Sequence, residues 1–173
     1  TIEKTIKAKE IFHLLALRNW EWAEPGILYW DRIQNYNLLD NTGFKYAGVN
    51  PCAEEPLPAG GSCLLGSINL SEFVINPFTN NAKIDYEALE EATSIAIVGL
   101  NQVLIEGLNF HPLKEQQETV RNLRQIGLGT MGLADMLIKL GITYGSDESI
   151  NTIKEVYKTI ATMAIKQSLE LDK

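Results

Sequence analysis

Between Asn50 and Gly61 the chain reads NPCAEEPLPAGG, and no other stretch restricts the fold as severely. Three prolines and two glycines within twelve residues exclude a regular helix, because each proline removes a backbone donor and clashes with the preceding turn. Pro51 fixes its own φ and biases Asn50 away from the helical region. The spacing therefore predicts an extended backbone, in which alternate residues Asn50, Cys52 and Glu54 point to one face.

Around this segment the pattern is mainly helical. Residues 4–24 carry Ile11, Phe12, Leu15 and Ala16 at helical spacing among charged residues, and Pro25-Gly26 ends that helix. The tryptophans Trp20, Trp22 and Trp30 lie close to Pro25 and are expected to pack the first helix onto the body. ILYWDRIQNY is apolar and of undecided type, and CLLGSINL (63–70) suits a strand or a short buried segment. Asp85 is placed to cap a helix reaching Glu106, apolar on most sides and so expected to be buried within a larger body. Pro112 suits the first turn of a helix over 112–122. Next, RQIGLGTMGLADMLIKLG predicts a short strand, a glycine-rich turn and a helix ended by Gly141. Ser146 or Asp147 caps the last helix, with Ile150, Ile153, Tyr157, Ile160, Ala164 and Leu171 as its apolar stripe. The class is α/β with helix in excess, read as one partial domain over 1–173: an active segment at 48–70 and a mainly helical scaffold at 85–173.

Composition narrows the function. A hydrophobic share of 45% belongs to a globular domain, and the net charge of −7 with a pI near 4.9 argues against DNA or RNA as partner. Two cysteines make no disulfide framework. The longest apolar-rich stretch, 92–105, is broken by Thr93, Ser94, Gly99, Asn101 and Gln102, so no membrane partner is expected, and the cytoplasm is the expected location. The chain opens at Thr1 and stops within a helical pattern at LELDK, and so reads as a piece of a longer protein.

An amide, a thiol and a carboxylate on one face offer a hydrogen-bond partner, a redox-capable sulfur and a general base. His13 and His111, distant in sequence, do not supply the base that would make Cys52 a thiolate, and a neighbouring carboxylate raises a thiol pKa. Against this stands the plain reading of Cys52 and Cys63 as small buried residues in a non-catalytic helical scaffold. Cysteines eleven positions apart with no histidine between them do not have structural zinc spacing.

NPCAEEPLP followed by GGSCLLGSINL resembles the active-site loop of the catalytic subunit of ribonucleotide reductases. The likeness extends through AEPGILYWDRIQ and RQIGLGTMGLADMLIKLGITYGS, and so covers most of the chain. It implies a fragment of a ten-stranded α/β barrel with a finger loop, from an enzyme that reduces ribonucleotides to 2′-deoxyribonucleotides by thiyl radical chemistry. Cys52 would match the radical cysteine that abstracts the ribose 3′ hydrogen. Glu54 would match the base for the 3′-hydroxyl, and Asn50 the amide that holds the sugar. Cys63 would match one of two cysteines that end as a disulfide. A radical thiol needs no low pKa but does need seclusion, which a loop threaded through a barrel provides.

The resemblance also implies what these residues lack. The second reducing cysteine, the tyrosine pair for radical transfer, the C-terminal shuttle cysteines and the main phosphate-binding loop would all lie outside the chain, so this piece alone is expected to be inactive. The radical would come from adenosylcobalamin, towards which NPCAEEPLP leans, or from a separate metal-containing subunit. An external thioredoxin-like dithiol would restore the cysteines, and the parent would be a homodimer. A competing motif is GLGTMG (127–132), a formal GxGxxG that would make the protein a nicotinamide-dependent oxidoreductase. A dinucleotide fingerprint needs a buried strand before it and an acidic residue about twenty positions on. The residues before it, VRNLRQ, are mostly polar, and Asp147 and Glu148 fall at a helix start, so the expected role is close backbone packing.

Overall fold

The computed structural model describes residues 3–172, which form two compact units, one up to Tyr46 and one from Ala47 onward. In the first, helix α1 (Ala8–Trp22) begins later than the periodicity predicts and ends at Ala23, whose left-handed backbone lets its N–H reach Asn19 O. A shorter helix α2 (Trp30–Asn35) resolves the undecided ILYWDRIQNY stretch. No residue of α1 is buried, and Trp20 and Trp22 are 84% and 74% exposed, so the expected tryptophan packing is not found.

The second unit is built on one parallel strand pair. Strand β3 (Leu64–Asn69) runs beside β6 (Ile126–Met131) in unbroken register from Leu64 opposite Ile126 to Asn69 opposite Met131. Two small antiparallel pairs flank it: β1 (Gly48–Val49) with β2 (Pro56–Leu57), and β4 (Val74–Ile75) with β5 (Lys83–Ile84). The crossover from β3 to β6 contains helices α3 (Tyr86–Gly107) and α4 (Lys114–Leu123), as a parallel pair requires a long connection. Helices α5 (Leu133–Leu140) and α6 (Asp147–Leu171) follow β6. Strands and helices are thus mixed as in an α/β fold, and the described residues form no closed barrel.

Capping fixes the helix ends as the sequence predicts. The Asp85 carboxylate accepts from Ala88 N at 3.0 Å, and Ser146 Oγ accepts from Ser149 N at 3.1 Å. Pro112, however, lies before α4, whose first residue is Lys114. The core joins Ile68, Leu70, Leu89, Met136, Val156 and Ile160. On α6 the buried positions are Ser149, Val156 and Ile160, while Ile150, Tyr157 and Leu171 are exposed. The helix is therefore rotated from the predicted stripe, because buried Ser149 belongs to the inner face. Its hydroxyl is satisfied locally, donating to Ser146 O and accepting from Gly145 N.

Helix α3 is long and apolar enough to cross a bilayer by length and composition, contrary to the expectation from its interrupting polar residues. It packs along α6 and across β3 and β6, and buried Thr93 donates back to Leu89 O at 2.7 Å. These contacts make it the central helix of the unit, although Ile95, Val98 and Val103 on its outer side are exposed. Leu89 is fully buried in this core. Leu89→Ala is expected to destabilise the unit by about 2–5 kcal/mol, read as a lower urea midpoint with an unchanged slope.

Candidate functional site

The segment from Asn50 to Glu55 is the tip of the β1–β2 hairpin and not an extended strand. Ala47 N donates to Leu57 O at 2.8 Å, and Asn50 N donates to Glu55 O at 3.2 Å, closing the hairpin base. Ala53 N then donates to Asn50 O at 2.9 Å, so Asn50-Pro51-Cys52-Ala53 is a β-turn with proline in its favoured second position. Ala53 leaves the turn in the left-handed region at φ 65°, uncommon for a residue with a side chain. Asn50 locks the tip from within, its side-chain oxygen accepting from Glu55 N at 3.0 Å.

This corrects the alternating-face geometry. A period of two holds only in extended backbone, and here the proline and the asparagine side chain favour a turn. The three candidate residues are still gathered at one hairpin tip: Asn50 is half-buried, while Cys52 and Glu54 are exposed. Cys63 is half-buried and immediately precedes β3. Both cysteines are free thiols, and neither is the fully buried small residue of the scaffold reading.

A carboxylate does raise a thiol here, and the thiol is Cys63. Burial comes first, then the hydrogen bond that the thiol donates to the Glu55 carboxylate and the negative charges of Glu55 and Glu54; together they push its pKa up to about 12. Cys63 therefore stays a protonated thiol across the physiological range. Its sulfur also borders a cavity of about 310 Å³ lined by Leu64, Leu104, His111 and Val120 among others. His111 sits where a short 3-10 turn ends, and its Nδ1 is buried without a partner among the described residues. His13, by contrast, is an exposed helix residue.

Glu55 is the residue that sequence reasoning passed over, and Gly127 explains its position. A Cβ built on Gly127 would run into the Glu55 carboxylate, the Leu65 side chain and, at 2.9 Å, the Cys63 sulfur. The missing side chain of the first GLGTMG glycine is thus the space in which these two groups meet. Five of the six motif residues lie inside β6, and only Gly132 turns the chain, with φ 71° and the Asn69 carboxamide against it. The predicted glycine-rich turn is therefore a single residue. The motif is a packing surface, as expected, and does not form the phosphate-cradling loop that the nicotinamide reading needs.

Two outcomes follow from this geometry. Iodoacetamide at pH 8 is expected to label exposed Cys52 of this chain at least about tenfold faster than Cys63, measured by peptide mass spectrometry over time. Gly127→Ala is expected to cost about 1–3 kcal/mol in a denaturation experiment, by forcing Glu55 and Cys63 apart.

Comparison with known proteins places this geometry in a family. Residues 1–173 match the family described as ribonucleotide reductase, barrel domain. A vitamin B12-dependent ribonucleoside-diphosphate reductase of Thermoplasma acidophilum is 39% identical over 98% of the chain, which spans 21% of that protein. The protein of the same description from Mycobacterium tuberculosis is 33% identical over 95% of the chain and 22% of its own length. A ribonucleoside-diphosphate reductase subunit alpha of Chlamydia pneumoniae is 34% identical over 98% of the chain and 16% of its own length. The chain thus spans about a fifth of the length of the first two relatives. With its whole length matched, its hairpin tip carrying Asn50, Cys52 and Glu54, and Cys63 at the head of the parallel pair, this chain belongs to the ribonucleotide reductase barrel-domain family.

Proposed function

We propose that the protein containing this chain reduces ribonucleotides to 2′-deoxyribonucleotides, and that these residues hold its reaction centre. The single observation that carries the reading is the hairpin tip, which gathers Asn50, Cys52 and Glu54 in a chain matched throughout to the barrel domain. Residues 1–173 then form part of one domain, a ten-stranded α/β barrel whose remaining elements cover the outer side of α3 and seclude the exposed tip.

Each residue has a chemical task in this reading. Cys52, as a sulfur-centred radical, takes the hydrogen from C3′ of the ribose and becomes a thiol. Glu54 accepts the 3′-hydroxyl proton, and the 2′-hydroxyl leaves as water. Asn50 has its side-chain oxygen committed to Glu55 N, so its NH2 group is the part that turns toward the sugar. Cys63 and a second thiol outside these residues lose two electrons and two protons as their sulfurs join; one proton leaves in the water formed from the 2′-hydroxyl, the other forms the new C2′–H bond with both electrons, and Glu54 returns its proton to the 3′ oxygen. Cys52 finally returns a hydrogen to C3′ and is a radical again. The fragment alone lacks that second thiol and is inactive.

The relatives from Thermoplasma and Mycobacterium, named as vitamin B12-dependent ribonucleoside-diphosphate reductases, favour adenosylcobalamin as the radical source over a separate metal-containing subunit, and a ribonucleoside diphosphate as substrate. The described residues contain no group of three or more His, Cys, Asp or Glu suited to a metal ion. A thioredoxin-like dithiol re-reduces the disulfide, the parent acts as a homodimer in the cytoplasm, and neither DNA, RNA nor a membrane is its partner.

The decisive experiment measures deoxynucleotide formation by the full-length parent with a ribonucleoside diphosphate, adenosylcobalamin and a dithiol. Cys52→Ser is expected to lower turnover by at least about 10³-fold, or about 4 kcal/mol of barrier, with the far-ultraviolet circular dichroism unchanged. Activity that persists without the cobalamin would transfer radical generation to another subunit. Full activity of the variant would overturn the assignment of Cys52.

A further inference from the structure

The glycine at the start of β6 brings together two groups from different parts of the chain, the Glu55 carboxylate from the hairpin and the Cys63 thiol from the head of β3. Resting on the function proposed above, we propose that Glu55 is a positioning residue for Cys63, seating its sulfur against Gly127 and keeping its hydrogen in place until reduction of the sugar requires it. The role follows from what surrounds the thiol. Gly127 is buried, and its face toward Cys63 is filled by Glu55, Leu65 and the sulfur itself. The backbone carbonyl to which the thiol donates is Leu64 O at 4.0 Å, too long to orient an S–H group by itself. Glu55 supplies the stronger acceptor, and its own backbone is held on both sides, its N–H by the Asn50 side chain and its carbonyl by Asn50 N.

The chemistry asks for such a group. Two thiols reducing one ribonucleotide give a disulfide, water and a C2′–H bond; the two electrons go to carbon, one proton stays with them and the other leaves in the water. A thiolate at neutral pH would already have lost its proton to solvent and would attack electrophiles. The titratable groups facing Cys63 are Glu54 and Glu55 from the hairpin and His111 across the cavity, and both carboxylates oppose loss of the proton. Glu54 is exposed and serves the ribose, whereas half-buried Glu55 has its carboxylate against Gly127, beside Cys63. One short loop thus provides a base for the substrate and, one residue later, an acceptor for the reducing cysteine.

The test uses the full-length parent and its Glu55→Gln variant, which keeps size and an acceptor oxygen but removes the charge. Pre-reduced protein is alkylated with iodoacetamide from pH 6 to 10, and the Cys63 peptide is followed by mass spectrometry beside turnover with saturating and limiting ribonucleotide. The variant is expected to move the Cys63 alkylation profile to lower pH, with a rate at pH 8 about tenfold above wild type. Its kcat should fall about tenfold with KM changed less than twofold, and Glu55→Asp should recover part of both effects. A merely structural role would alter neither the pH profile nor the kcat-to-KM split in this way. An unchanged Cys63 profile in a parent that does reduce ribonucleotides would overturn the positioning role alone. A wild-type parent that forms no deoxynucleotide would instead remove the functional reading beneath it.

Discussion

The parallel pairing of β3 with β6 is the constraint on which the rest depends. Its register sets Leu64 opposite Ile126 and Leu65 opposite Gly127, and Cys63, the residue before β3, brings its sulfur to Gly127, where the partner strand has no side chain. Shifting the register by one residue would bring Ile126 or Leu128 to that point and exchange the faces of both strands. The same pairing supports α3, which crosses both strands, and through α3 the long α6 that closes the core. The site is held by a sheet of only two strands because the crossover between them is itself the scaffold.

The β1–β2 hairpin brings a second device to that fixed point. Four residues separate Asn50 from Glu55, and the turn between them is closed by hydrogen bonds at both ends. Every group on the tip therefore takes its position from Asn50, whose main chain and side chain both serve as acceptors. An asparagine here is a structural clamp. Aspartate could accept the same bonds but would add a third negative charge beside Glu54 and Glu55.

Much of the architecture was legible because its signals are local. Asp85 and Ser146 announce their helices by short-range hydrogen bonds, and Gly141 ends α5 in the left-handed conformation its sequence position suggests. The candidate residues Asn50, Cys52, Glu54 and Cys63 are all found on or beside one loop, as their motif implies. What escaped was partly non-local. Glu55 is set apart from Glu54 by meeting Cys63 over Gly127, and that depends on a strand about seventy residues away in sequence about which the motif is silent. The turn at Pro51 escaped because proline suits both extended chain and the second position of a β-turn, and the Asn50 side chain decides between them. The rotation of α6 escaped because a buried serine reads as polar until its hydroxyl is seen satisfied within its own cap. The exposed tryptophans of α1 show the reverse error, since apolar residues at helical spacing need a partner surface, which periodicity does not supply.

The hydrogen bonds that close the hairpin tip join Asn50 to Ala53 and Asn50 to Glu55, and they pass around Cys52 without using its own N–H or carbonyl. The loop is shaped by its neighbours, and the sulfur is carried as a passenger. In the proposed reaction Cys52 passes between two chemical identities, and such a mount suits it, because neither identity is needed to keep the frame standing.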